Sequence, residues 1–327
     1  MQKRILGKEN PVEVSSIGYG CMGFSHGYGK CPDKETSIEL LRSAYYLGCT
    51  FFDTAQSYAD GENEKLVGEA VKPFRKNIVL ATKIHIPEEA AGSLGKVLES
   101  RLDDSLKRLQ TDYVDIFYQH RMNRNISAEE VAYEMGKLIK KGKIRGYGQS
   151  QSSSDEIIRA NAVTPMTAVQ SEYSIMERMF EKEVIPTCKK LGIGFVAFAP
   201  MASGYLSGKE IASCEHYQGD DVRRVITRYS PENVKANLPV LEILSKFAER
   251  KHATPAQIAL AWLLAKEDFI VPIPGMRRIE RITENLEAAD VVLTKTDMAE
   301  LEKSLSEITI YGNRTDEDIR KLKTMIN

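Results

Sequence analysis

The chain has 327 residues, 45 Lys and Arg against 46 Asp and Glu, a formal net charge of −1 and 42% hydrophobic content. That balance excludes a strong basic field for nucleic acid or an anionic membrane and supplies enough apolar residues for a sizeable core. Five scattered cysteines (Cys21, Cys31, Cys49, Cys188, Cys214), an opening MQKRILGKENPVEV with no apolar signal core, and no long apolar run predict a soluble, cytoplasmic protein in a reducing compartment.

KRILG and VEVSSIG, separated by the polar KENP with Pro11, read as two short strands joined by a turn, so residues 1–13 are expected to form a hairpin cap. From there apolar strand-like runs alternate with helix-like segments. Strands are expected over 14–20, 50–54, 78–83, 113–120, 144–150, 168–173, 195–200 and 270–274. Helices are expected over 34–47, 62–71, 93–109, 128–141, 154–160, 180–191, 255–266 and 280–288. Runs such as IVLATK, GFVAFAP and FIVPIPG lack alternation, as strands covered on both faces do.

Eight strands, each followed by a helix, predict an α/β fold, a (β/α)₈ TIM barrel spanning 1–327 as a single domain. A doubly wound sheet is the competing topology; the count of eight and the lack of a domain linker favour the barrel. Two insertions depart from the repeat: a long polar connection over 203–237 after the seventh strand, and an extra helix over 238–251 before the last barrel helix. The polar tail over 308–327 is expected to cross the barrel mouth or to fray.

Working residues of barrel enzymes sit at the carboxyl ends of the strands. Read in order, those ends carry Asp53 and Thr54, then Lys83, then His120, with Tyr58 on the loop after the second strand. Singly, each has an ordinary explanation: a cap or ion pair for the Asp, solvation for the Lys, a satisfied polar group for the His. Their placement on three consecutive strand ends is what points to one pocket. A phenol has an unperturbed pKa of about 10, and a nearby cation such as Lys83 favours its ionised form.

Other patterns carry less. Gly18, Gly20 and Gly23 spell the dinucleotide fingerprint, but no helix opens after them and no strand-end acid follows at the required distance, so they read as a tight loop beside the cleft. Cys21, His26 and Cys31 lack a fourth ligand and a familiar spacing, so no metal is expected. His85 reads as a wall residue rather than a catalyst.

The chain resembles the aldo-keto reductase family, through FFDTAQSY with GENEKLVGEA, VLATK ending in Lys83, DYVDIFYQH ending in His120, and then IRGYGQS, AVQSEYS, FVAFAPMASGYLSGK and IPGMRRIERITENL. The opening IGYGCMGFSHGYG and the stretch TRYSPENVKANL resemble the long-loop bacterial, plant and yeast members. The resemblance implies a catalytic tetrad of Asp53, Tyr58, Lys83 and His120. Tyr58 would donate the proton to a carbonyl that receives hydride, Lys83 would lower the phenol pKa, Asp53 would fix Lys83, and a neutral His120 would orient the carbonyl.

It also implies NADPH, with NADH less favoured. Phe198 matches the position that stacks on the nicotinamide, where Tyr is commoner; Ser150, Gln151 and Gln170 match the carboxamide partners. Ala199, Pro200, Met201 and Gly204 continue the cofactor-facing strand end and loop. On the last segment, Gly275 begins the turn, Arg277 and Arg281 match the 2′-phosphate side, and Glu284 and Asn285 the adenine. Gly275 and Met276 stand where smaller reductases often carry Lys and Ser, so the preference for NADPH rests on the two arginines.

Substrate walls are expected from the loops, namely Met22, Phe24, Tyr28, Ile84 and Met122, around a small carbonyl compound; Arg121 could attract an anionic one. The partner is a small molecule, with neither nucleic acid nor membrane, and the oligomeric state is open. Two other readings stay open: a slow-turnover, nucleotide-sensing regulatory subunit, and a metal-dependent barrel hydrolase or isomerase, which would want more than one strand-end His.

Overall fold

Two apolar ends, Leu6 and Val12–Val14, fold the amino terminus into an antiparallel hairpin of β1 (Lys3–Leu6) and β2 (Val12–Ser15). Eight parallel strands follow: β3 (Tyr19–Gly20), β4 (Phe51–Asp53), β5 (Val79–Ile84), β6 (Val114–Gln119), β7 (Ile144–Ser150), β8 (Ala168–Glu172), β9 (Gly194–Phe198) and β10 (Ile270–Pro272). This is a computed structural model, and it describes residues 1–208, 211–315, 317, 319 and 320. Each barrel strand pairs with the next in chain order. Gly18 N donates to Pro272 O at 2.9 Å and Gly20 N to Pro274 O at 3.1 Å, which joins the first strand to the last and closes the sheet. A doubly wound sheet would reverse its strand order from a central switch point, and this sheet does not.

The helices are α1 (Lys34–Tyr46), α2 (Glu62–Val71), α3 (Leu94–Leu109), α4 (Ala128–Lys140), α5 (Ser154–Val163), α6 (Val184–Leu191), α7 (Pro231–Ala236), α8 (Leu238–Lys251), α9 (Pro255–Lys266), α10 (Ile279–Glu287) and α11 (Lys295–Ser306). Ser127 with Glu130, Ser153 with Glu156, Thr254 with Gln257 and Thr294 with Asp297 form reciprocal caps that satisfy backbone N–H groups at four amino termini. None of the helices, among the described residues, is long and apolar enough to cross a membrane.

The hairpin decides which end of the barrel is open. Leu6, Val12 and Val14 pack with Phe51, Val79, Ala81, Ile116, Val196 and Val271 in the barrel interior. A Cβ on Gly194, where β9 begins, would lie 2.8 Å from Leu6 Cβ and 2.9 Å from Leu6 Cα, so the plug approaches as closely as a glycine permits. With that end filled, the carboxyl ends of the strands form the mouth.

Three expectations need correcting. The strand expected over 14–20 is divided, because Val14 and Ser15 pair with Arg4 and Lys3 in the hairpin and only Tyr19–Gly20 join β4. The apolar run is continuous, and its change of partner is not a local property. The hairpin cap thus extends past residue 13 to Ser15. The connection over 203–237 contains α7 and 3₁₀ turns at Cys214–His216, Val222–Arg224 and Thr227–Tyr229; residues 209 and 210 lie outside the described residues. Helix α11 was unforeseen, since among its polar residues only Leu301 and Leu305 are buried apolar ones.

The tail returns toward the mouth. Asn237 and Tyr311 exchange two hydrogen bonds of 2.9 and 2.8 Å, and Asn313 N donates to Thr227 Oγ1 at 2.9 Å. Residues 316, 318 and 321–327 of the tail lie outside the described residues.

Candidate active site

Asp53 ends β4, and its neighbour Thr54 is locked by a 2.6 Å hydrogen bond to Asn63 Oδ1. Asn63 in turn donates to Cys21 O at 2.9 Å. The chain then turns sharply at Tyr58–Gly61, where Ala59, Asp60 and Gly61 take φ of 46°, 51° and 90°. Two non-glycine residues in the left-handed region cost about 1 kcal/mol or more each, a strain that the surrounding packing must impose. The turn folds Tyr58 back over the strand ends.

Lys83, in β5, is completely buried. Its Nζ pairs with Asp53 Oδ1 and donates to Thr54 O at 2.8 Å and to the Tyr58 hydroxyl at 3.3 Å. The other Asp53 oxygen, Oδ2, accepts from Gln170 Nε2 at 2.9 Å. Burial alone would favour a neutral amine at Lys83, but Asp53 and then Tyr58 outweigh it and hold its pKa above the ordinary value, so Lys83 is an ammonium.

His120 follows β6, with its backbone N–H donating to Ile84 O at 2.8 Å. Its Nδ1 lies 3.3 Å from Ser57 Oγ, its ring 4.2 Å from the stacked His85 ring, and 5.9 Å edge-on from the Tyr58 ring. Burial, then Lys83, His85, Arg121 and Arg314, hold the imidazole well below its ordinary pKa, which makes it neutral. The phenol departs from expectation. Burial pushes Tyr58 above its ordinary value, and the opposing pull of Lys83 is too small to reverse that. Tyr58 is therefore protonated at neutral pH, as an acid requires.

These four side chains meet at a cavity of about 570 Å³. Asp53, Tyr58 and His120 line it, with Lys83 beneath. Of the residues expected to meet a cofactor, Ser150, Gln170, Phe198, Ala199 and Gly275 line it as well. Gln151 has φ 59° and a buried Oε1 without a hydrogen-bond partner. Pro200 is buried and Met201 partly so, while Gly204 at φ 99° has open space where a Cβ would stand.

The remaining expected residues lie elsewhere. Arg281 and Glu284 form an ion pair and line a separate cleft with Thr254, Gln257 and Arg278. Asn285 is buried in α10. Arg277 runs along Gly23 and donates to Lys30 O at 3.1 Å. Met22 and Tyr28 line the cavity, but Phe24, Ile84 and Met122 do not. Phe24 stacks on Tyr19 at 5.8 Å, Ile84 is buried, and Met122 packs on the outer core.

Sequence reasoning missed several lining residues: His26, Ser57, Arg314, Ile319 and Arg320. His85 lines the cavity too, in keeping with its reading as a wall residue. Nothing local pointed to Arg314, which arrives from the tail. Among the described residues, no group of three or more His, Cys, Asp or Glu is placed to hold a metal.

Residues 16–306 match the model of the "Aldo/keto reductase family". The chain is 36% identical over 308 residues to "Probable aldo-keto reductase 1" of Glycine max, covering 92% of this chain and 88% of that one. Its fold is similar to that of an aldo-keto reductase from Klebsiella pneumoniae solved in complex with NADPH, at TM-score 0.72 and 26% identity over 93% of this chain and 95% of that one. A glycerol dehydrogenase from Gluconobacter oxydans shares the fold at TM-score 0.83, with 23% identity over 96% and 97% of the two chains.

Proposed function

Because the chain belongs to the aldo/keto reductase family, an NAD(P)H-dependent oxidoreductase family, we propose that it reduces aldehydes and ketones to alcohols with NADPH and that Tyr58 supplies the proton. The observation that carries this reading is the contact of Lys83 Nζ with both Asp53 and the Tyr58 hydroxyl at a cavity wall. The phenol oxygen accepts from the ammonium, so its own O–H remains to donate toward a substrate.

The residues present fit the cofactor. An aromatic face at Phe198 and polar side chains at Ser150 and Gln170, all lining the cavity, suit a flat ring bearing a carboxamide. When bound, NADPH supplies the hydride. The chain's residues do the rest. His120 and Tyr58 hold the carbonyl oxygen, and as that oxygen gains charge Tyr58 delivers its proton, leaving a phenolate beside the Lys83 ammonium. Asp53, pinned by Gln170, keeps the ammonium in place. The short Asp53–Lys83–Tyr58 chain then stabilises the phenolate until solvent restores the proton.

The reading is tested by following NADPH oxidation with a panel of aromatic and aliphatic aldehydes and ketones, in parallel with NADH. Saturable oxidation that yields the alcohol supports it. No carbonyl-dependent oxidation of either nucleotide across the panel would overturn it.

A further inference from the structure

The turn that carries Tyr58 is held to β5 at both ends. Upstream, Gln56 N donates to Lys83 O at 3.0 Å. Downstream, Glu64 in the first turn of α2 is completely buried, and its Oε1 accepts from Thr82 Oγ1 at 2.5 Å. Thr82 directly precedes Lys83 in the strand. The other Glu64 oxygen, Oε2, accepts from Arg108 Nε of α3 at 2.7 Å, and Arg108 Nη2 donates to Ser105 Oγ at 3.1 Å. Thr82, Glu64 and Arg108 thus form a chain from the strand of Lys83 to the outer helix layer.

Arg108 is also the wall against which the turn folds. A Cβ on Gly61 would lie 2.6 Å from Arg108 Cδ and 2.6 Å from its Nε. Nε is the atom that Glu64 engages, so the side chain is not free to swing clear. Further along α2, a Cβ on Gly68 would lie 2.6 Å from the carbonyl carbon of Leu109, so α2 lies flush on the end of α3 at a second point. Between these anchors Ala59, Asp60 and Gly61 take φ of 46°, 51° and 90°. A free turn would leave that conformation, and the anchored ends prevent it.

We propose that Glu64 and Arg108 are positioning residues: together they hold the left-handed turn against β5 and so keep the Tyr58 hydroxyl in contact with Lys83. In its consequence for turnover the proposal rests on the reductase reading. A purely structural ion pair would lower stability alone. A positioning pair also lowers kcat in the folded protein, since a misplacement of about 1 Å caused far from the chemistry can cost about 10² in rate.

The test compares the parent with Arg108→Ala, Arg108→Lys and the double variant Arg108→Ala/Glu64→Gln, each at a temperature where it is fully folded. Rates come from NADPH oxidation on the carbonyl panel, cofactor affinity from calorimetry and stability from urea midpoints. Arg108→Ala should lower kcat by about 10–100-fold, with KM and the NADPH dissociation constant changed far less. Arg108 meets Glu64 through a single N–H, so Arg108→Lys, which returns an aliphatic stem beneath Gly61 and a point charge for Glu64, should recover most of that loss. The double variant removes the buried charge along with its partner, so its urea midpoint should rise above that of Arg108→Ala while kcat stays low. Unchanged kcat in Arg108→Ala, or kcat and stability recovering together in the double variant, overturns the proposal. A further readout needs no turnover. With ¹³C at tyrosine Cζ, the Tyr58 resonance, identified by its loss in Tyr58→Phe, should move or broaden in Arg108→Ala while the other tyrosine signals hold. An unmoved Tyr58 resonance overturns the positioning role whatever the rates. If the parent reduces none of the panel, the reductase reading fails, and a Tyr58 resonance that moves still sustains the positioning.

Discussion

Lys83 Nζ lies 3.3 Å from the Tyr58 hydroxyl, and the same nitrogen is held from the barrel floor by Asp53 and by Thr54 O at 2.8 Å. One cation thus fixes the phenol's position and decides which way its proton points. That single contact links the fold to the chemistry, and most of the expected outcomes below follow from it.

Tyr58→Phe keeps the ring and removes the O–H. The loss of a general acid should lower kcat by about 10²–10⁴, while the NADPH dissociation constant, read by calorimetry, stays within a small factor. Undiminished turnover in this variant would remove Tyr58 from the role.

Lys83→Met should abolish turnover and also destabilise the fold by roughly 3–5 kcal/mol, because the buried Asp53, whose pKa burial already raises, is left without the cation that favours its ionised form. The double variant Lys83→Met/Asp53→Asn should recover much of that stability and none of the activity. Chemical denaturation of both variants checks this; equal destabilisation of the single and double variants would contradict the pairing.

The pH dependence follows from the two shifted groups. Tyr58 is raised by burial, so it stays protonated past its ordinary value, and kcat/KM for reduction should hold through neutral pH and fall only above about 10. His120 is depressed, chiefly by burial, so at mildly acid pH the unfolded chain takes up a proton that the folded protein does not. More protons on the unfolded state means that stability falls as pH drops below the unfolded value of about 6.5. Urea midpoints from pH 8 to pH 5 should show that decline, and His120→Asn should flatten it. A rise in stability on acidification over this window would show the sign to be wrong.

Gly194→Ala should loosen the hairpin plug. The added methyl has no room against the Leu6 backbone, so the hairpin must shift, at a cost of about 1–3 kcal/mol. The midpoint of thermal unfolding should drop, with KM unchanged, since the plug closes the end opposite the site. A neutral effect would mean that β1 is not packed as the structure has it.

Much of this protein was legible from its amino-acid order, for a physical reason. Strand and helix signals are local, set by which side chains a short segment must bury and by caps such as Ser127 with Glu130. Strand ends are therefore readable too, and with them Asp53, Lys83 and His120. The reading failed where partner choice decides the outcome. Val14 and Ser15 left the barrel for the hairpin, Phe24 turned toward Tyr19, and α11 formed on a narrow apolar stripe.

What the sequence determined by itself was the eightfold alternation and the chemical type of each strand-end group. What only the tertiary structure decided was the sum of the surroundings at each group. Lys83 lowers the Tyr58 pKa as its position implied, yet the burial of that phenol outweighs it. Arg314 reaches Glu172 and Phe198 across more than a hundred residues of intervening chain. Desolvation and long-range charge depend on everything packed around a group, and no local pattern contains that sum.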